Sequence, residues 1–184
     1  MKELVKIRSD VVGSLLRPAY LKEARLRFDE GKIGGDEMRR IEDRAIREAV
    51  LLQETVGLGV VTDGEFRRLN FQDSFGESVA GFDAARADIR FYEKRVEGSK
   101  PLQRWEIPDR GEAKGTPVAQ RRPVVERLRL VRNIPLEEYR FVSRVGQRPA
   151  KVTLIGPDRI CQRFDHQHST SVYPTVDDFA ADVV

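Results

Sequence analysis

The sequence predicts an α/β fold built on a parallel sheet, and three observations lead there. Short valine-rich runs recur at VKIRSDVVGS, LGVVTDGEF and AKVTLIGP, each too short for a helix and each closed by glycine beside polar or turn-forming residues. Helical stretches lie between the first two runs, and the interval before the third has room for more. Strand, helix and strand in repetition imply βαβ units, whose crossovers require parallel neighbours.

After the first run, PAYLKEARLRFDEG predicts a short helix with Pro18 near its first turn and Gly31 after its last. Gly34 and Gly35 lead into a longer one, DEMRRIEDRAIREAVLLQETVG, where Met38, Ile41, Ala45, Ile46, Ala49, Leu52 and Val56 recur at helical spacing among charges. Asp36 sets a carboxylate at the positive end of that helix's dipole, and Gly57 supplies the stop. Between the second and third runs, VVERLRLVRN is expected to form a helix packed through Val125, Leu128 and Val131, followed by the segment LEEYRFVSRVG. From 84 to 120, Gly98, Pro101, Pro108, Gly111, Gly115 and Pro117 interrupt a polar stretch, which predicts a loop excursion with room for a hairpin around FYEKRVEG and LQRWEIP. TVDDFAADVV reads as the start of a helix after the third run.

Composition narrows the class. At 184 residues and 40% hydrophobic, the chain suffices for one core rather than two, so a single domain over 1–184 is expected. Its 33 basic and 30 acidic residues leave a net charge of +3 on a mixed-sign surface. The arginine cluster Arg121, Arg122, Arg127, Arg129 and Arg132 has no interleaved aromatic and contains Glu126, so a nucleic-acid partner is not expected. The single cysteine, Cys161, rules out an intrachain disulfide and fits a reducing compartment. The opening MKELVKIRSD lacks the apolar stretch of a signal peptide, and no segment approaches the roughly 18 apolar residues that span a bilayer. A cytoplasmic location with no membrane partner is therefore expected.

The chemistry concentrates where the apolar runs end. In parallel α/β sheets, ligands bind beyond the strand ends, where loops diverge and backbone N–H groups face the site. Asp63 and Glu65 flank Gly64 at the end of the second run, Gly13 and Ser14 end the first, and Gly156 and Asp158 end the third. Glycine at each end lets a ligand approach the backbone closely. Arg67 and Arg68 are expected in ion pairs around the loop, Asp73 in a neighbouring polar network, and Lys151, at the opposite end of its run, in a structural role. Cys161, His166 and His168 are residue types that bind zinc, but CQRFDHQHSTS offers no second cysteine and no evident fourth ligand. A solvated loop with an inert thiol is expected there.

VVGSLLRP, IEDRAIREAVLLQETVGLGVVTDGEFRR, DGEFRRLNFQDSFGESVAGF and AKVTLIGP together resemble the cobalamin-independent methionine synthase family, in particular its catalytic barrel and the shorter single-barrel homologues, from about Val11 to the end. The resemblance implies a TIM-type (β/α)8 barrel, of which the chain would carry roughly the first three strands with their helices and the 84–120 excursion. It also implies zinc-dependent methyl transfer from 5-methyltetrahydrofolate to homocysteine, zinc lowering the thiol pKa so that thiolate exists near neutral pH. Residue by residue, it implies that Ser14 and Glu65 hold the amino-acid part of homocysteine. Glu65 would meet the ammonium and main-chain N–H groups around Gly13 and Ser14 the carboxylate. Beside that resemblance, Asp63 and Asp73 are candidates to support the site from behind, with a helix N-terminal or solvent role the alternative for Asp73.

The chain also departs from the family. Asp63 stands where the longer enzymes have histidine. The His-x-Cys pair that supplies zinc ligands and the Gln-Ile-Asp-Glu-Pro stretch are absent. Methyl transfer by these 184 residues by themselves is accordingly not expected, and the alternative is a non-catalytic or truncated barrel remnant that keeps substrate-side residues. An unpaired strand edge would invite self-association or a partner chain that completes the barrel.

Overall fold

The computed structural model describes residues 10–68, 73–83 and 122–184. The 84–120 excursion and its hairpin, like the opening residues 1–9, lie outside them. In chain order the described elements are α1 (Ala19–Asp29), α2 (Gly35–Thr55), α3 (Asp73–Ser78), β1 (Val79–Phe82), β2 (Val124–Leu130), α4 (Ile134–Val145), α5 (Pro157–Cys161) and α6 (Val176–Val183). They fall into two compact units.

The first unit comprises Met1–Arg67 and Pro135–Thr153. Its core packs Leu21 and Ala24 of α1, Met38, Ala45, Ile46, Ala49 and Val50 of α2, and Phe141 and Val142 of α4 around Val61 and Phe66. The helices α1 and α2 both stop as the glycines require. Gly57 takes φ 83° and donates to Glu54 O while Leu58 N donates to Gln53 O. Gly31 takes φ 70°, and the corresponding bonds run to Phe28 O and Arg27 O. This paired return of orphan carbonyls is the Schellman arrangement, which needs a left-handed residue just past the helix.

The inward face of α2 differs from the expected one at its last turns. Leu52 and Val56 are 62% and 66% exposed, whereas Val50 and Gln53 are buried. The reason is what the helix meets. Gln53 faces the backbone of Thr62, accepting from Thr62 N at 3.0 Å and donating to Thr62 O at 2.9 Å. A primary amide thus gives Thr62 the donor and acceptor that a neighbouring strand would have supplied.

The second and third apolar runs do lie parallel, but their pairing is brief. Val61 bridges Ala150, with Val61 N donating to Pro149 O at 3.0 Å and Lys151 N to Val61 O at 2.8 Å. Beyond Val61 the backbone donors turn to side chains: Thr62 N to Gln53, Gly64 N to Thr62 Oγ1, and Glu65 N to Asp63 Oδ1. Short polar side chains that capture nearby N–H groups compete with a ladder, and here they win. Just past the first run, Leu15 N joins them by donating to Gly64 O at 3.1 Å.

The second unit comprises Arg68–Ile134 and Leu154–Val184. Here VVERLRLVRN is not the expected helix. Residues Val124–Leu130 form β2, which pairs antiparallel with β1 in the register Val79↔Leu130, Ala80↔Arg129 and Phe82↔Val124. Two features favour the strand: β-branched valines at its start, and an available partner in β1, whose irregularity falls at Gly81 with φ 124°. A Cβ at Gly81 would come within 3.0 Å of Glu126 O, so the two backbones approach closely because no side chain intervenes.

Val124 packs with Ile160, Tyr173 and Phe179 in this unit's core. Tyr173 OH accepts from Leu128 N at 2.9 Å and donates to Asp182, and Arg127 stacks over the Tyr173 ring at 4.6 Å. The α6 start has a reciprocal cap between Thr175 and Asp178. No helix among the described residues is long and apolar enough to cross a membrane.

Candidate functional site

In the first unit, the ends of the first and second runs meet at Glu65, and the third run reaches it from its interior, through Thr153. The expected third run end, Gly156 and Asp158, belongs to the second unit. The backbone reaches it through two successive left-handed residues, Gly64 at φ 69° and Glu65 at φ 56°. Glycine accepts that conformation freely, but for glutamate it costs about 1–2 kcal/mol. Asp63 holds the turn by accepting Glu65 N at 2.9 Å. Thr62 Oγ1 adds a second tie, accepting Gly64 N at 3.1 Å and donating to Gly13 O at 2.8 Å.

Glu65 is 7% exposed, and the carboxylate that this turn delivers is bound on both oxygens by hydroxyl donors from the other two runs. Ser14 Oγ donates to Glu65 Oε2, and Thr153 Oγ1 donates to Oε1. Ser14 is exposed, so the cluster has one member at the surface. Gly13 is buried beneath it. A Cβ there would collide with Thr153 Cγ2 and lie 2.9 Å from Glu65 Oε1. Glycine at 13 therefore lets the first run approach Glu65 and Thr153.

A partly buried ion-pair network supports the loop just after Glu65. Arg25 pairs with Glu42 at 2.7 Å and makes longer contacts, 3.4 Å each, to the carbonyls of Phe66 and Arg67. Arg67 pairs with Asp43 and stacks over Phe141 at 4.4 Å. Burial raises the Glu42 carboxyl above its usual range, more than the attraction of Arg25 and Arg67 lowers it. Arg17 reaches the Glu65 carbonyl at 3.3 Å.

Of the residues singled out in the sequence, Gly13, Ser14, Asp63 and Glu65 are brought together here. Lys151, placed structurally, bonds Asp10 and the Val11 carbonyl. Asp73 begins α3 in the second unit, and its side chain lies outside the described residues. Gly156 caps α5 in that unit, with Asp158 in the first turn. Sequence reading missed Thr62, Thr153 and Gln53. Thr153 carried one available signal, its position inside the third run two residues from Lys151 and therefore on the same face of an extended segment.

Zinc finds no match for its donor chemistry in the described residues, where no group of three or more His, Cys, Asp or Glu side chains is placed to hold a metal. His168 Nδ1 instead meets Asp165 at 2.7 Å, His166 packs edge-on to Phe164 at 5.2 Å, and burial raises the Cys161 thiol, with the Asp158 and Asp177 carboxylates adding to the effect.

Residues 8–101, just over half the chain, match the family described as the catalytic domain of cobalamin-independent synthase. The chain belongs to this family. A methionine synthase of Sulfurisphaera tokodaii is 28% identical over 163 residues, 88% of this chain and 41% of that protein. The 5-methyltetrahydropteroyltriglutamate–homocysteine methyltransferase of Syntrophotalea carbinolica is 37% identical over 79 residues, 43% of this chain and 10% of that enzyme. Among solved structures, a Listeria monocytogenes protein assigned as a vitamin-B12 independent methionine synthase superposes with a TM-score of 0.65 at 25% identity, over 96% of this chain and 44% of that one. The fold is thus the α/β fold of those enzymes, and the chain spans about two-fifths of their length where it aligns most fully.

Proposed function

We propose that the chain provides the amino-acid-holding part of a site for methyl transfer to the homocysteine thiol, of the kind its family relatives are named for, and that residues 1–184 form one partial (β/α)8 barrel domain working in the cytoplasm. The observation that carries this reading is the buried Glu65, its carboxylate held from both sides by Ser14 and Thr153 where the ends of the first two runs meet the third. A carboxylate removed from water is best compensated by a cation that also donates hydrogen bonds, and an amino acid's ammonium does both. Hydroxyl groups can turn to accept as well as donate, so an arriving ammonium can share the cluster with Ser14 and Thr153. The amino acid's carboxylate would then lie against main-chain N–H groups near Gly13 and Ser14.

The family reaction also calls for zinc and a folate methyl donor. Zinc does not fit the described residues of this chain, and the part assigned to them here is substrate capture.

Calorimetric titration of the 184-residue protein with L-homocysteine, beside the Glu65→Gln variant, tests the reading. The account expects binding by the parent and a loss of about tenfold or more in the variant, the scale of a hydrogen bond to a charged group, with unfolding little changed. Equal binding by both proteins would remove Glu65 from ammonium recognition.

A further inference from the structure

Ser14 and Thr153 both donate to Glu65, but their settings differ. Ser14 is exposed, and its hydroxyl can exchange partners with water. Thr153 is half-buried on a segment tied to the first run, since Lys151, on the same face two residues earlier, bonds Asp10 and the Val11 carbonyl. Threonine is β-branched and stiff about χ1. Its Cγ2 methyl fills the space over Gly13 where a Cβ would otherwise stand, and with the methyl seated there the hydroxyl points to Glu65 Oε1.

We propose that Thr153 is a positioning residue that fixes the Glu65 carboxylate for ammonium recognition, and so sets the preference for an amino acid over the same molecule without its amino group. The inference rests on the amino-acid reading of the site. Glutamate has several rotatable bonds, and a carboxylate that loses the Thr153 hydroxyl keeps more of that freedom, which must be given up each time a ligand binds.

The probes are L-homocysteine and 4-mercaptobutanoate, which is homocysteine lacking the amino group, titrated into the parent protein, Thr153→Val and Thr153→Ser. Valine keeps the shape and loses the hydroxyl, whereas serine keeps the hydroxyl. The expected result is about tenfold weaker homocysteine binding in Thr153→Val, as for loss of a hydrogen bond to a charged group, with serine restoring it to within about threefold. Binding of 4-mercaptobutanoate should be the same in all three. A parent that favours homocysteine while Thr153→Val keeps that preference would overturn the role of Thr153 and leave the amino-acid site standing. A parent that does not distinguish the two probes would remove the ammonium site and Thr153's role with it.

Discussion

Ser14 donates its hydroxyl to the Glu65 carboxylate across 51 residues of chain. The contact depends on Gly13, buried and closely approached by both Thr153 and Glu65, and on the double left-handed turn at Gly64 and Glu65. Backbone strain, a missing side chain and two hydroxyl donors all serve to place one carboxylate.

Gly13→Ala is expected to destabilise the protein by about 1–3 kcal/mol, as overpacking does, and to weaken homocysteine binding. The hardest of the collisions is with the Thr153 methyl, so adding Thr153→Ser should recover much of the loss. Urea denaturation of the two single variants and the double variant checks this. Additive losses would show that the crowding lies elsewhere.

Glu65 occupies a conformation that glycine accepts without penalty. Glu65→Gly should therefore abolish homocysteine binding while leaving unfolding stability unchanged or raising it by up to about 1 kcal/mol. A large loss of stability would mean that the carboxylate holds the fold together rather than serving a ligand.

Gln53→Leu should cost about 2–4 kcal/mol, because it strands both the N–H and the C=O of buried Thr62. Thermal or urea unfolding reads this directly, and a change below about 0.5 kcal/mol would indicate that Thr62 finds other partners.

Glu42 contributes a pH dependence whose sign follows from its raised carboxyl. The folded state takes up this proton more readily than the unfolded chain, so the stabilisation is complete below the unfolded value of 4.5 and is lost as pH rises through the higher folded value. The stability of the parent relative to Glu42→Gln should therefore fall as pH is raised through the region just above 4.5, measured by urea midpoints at each pH. A rising difference would contradict the burial argument.

Much of this was legible in the sequence. The helices α1 and α2 follow from apolar spacing and from Gly31 and Gly57, which end them as local chemistry requires. The carboxylates flanking Gly64 marked a run end as something other than a neutral turn. Less legible were the features set by tertiary partners. The residues of β2 carry apolar spacing that suits a helix face, and pairing with β1 decides otherwise. Gln53 reads as a solvated helix residue until Thr62 is placed against it. Thr153 looks like ordinary strand filler, because nothing local shows that its hydroxyl meets a carboxylate 88 residues away.

The most direct measurement is a crystal structure of the protein grown with L-homocysteine. The account predicts the ligand's ammonium nitrogen about 3 Å from the Glu65 carboxylate, with its carboxylate against the backbone of Gly13 and Ser14. Homocysteine bound elsewhere, or seated here with its ammonium turned away from Glu65, would contradict it.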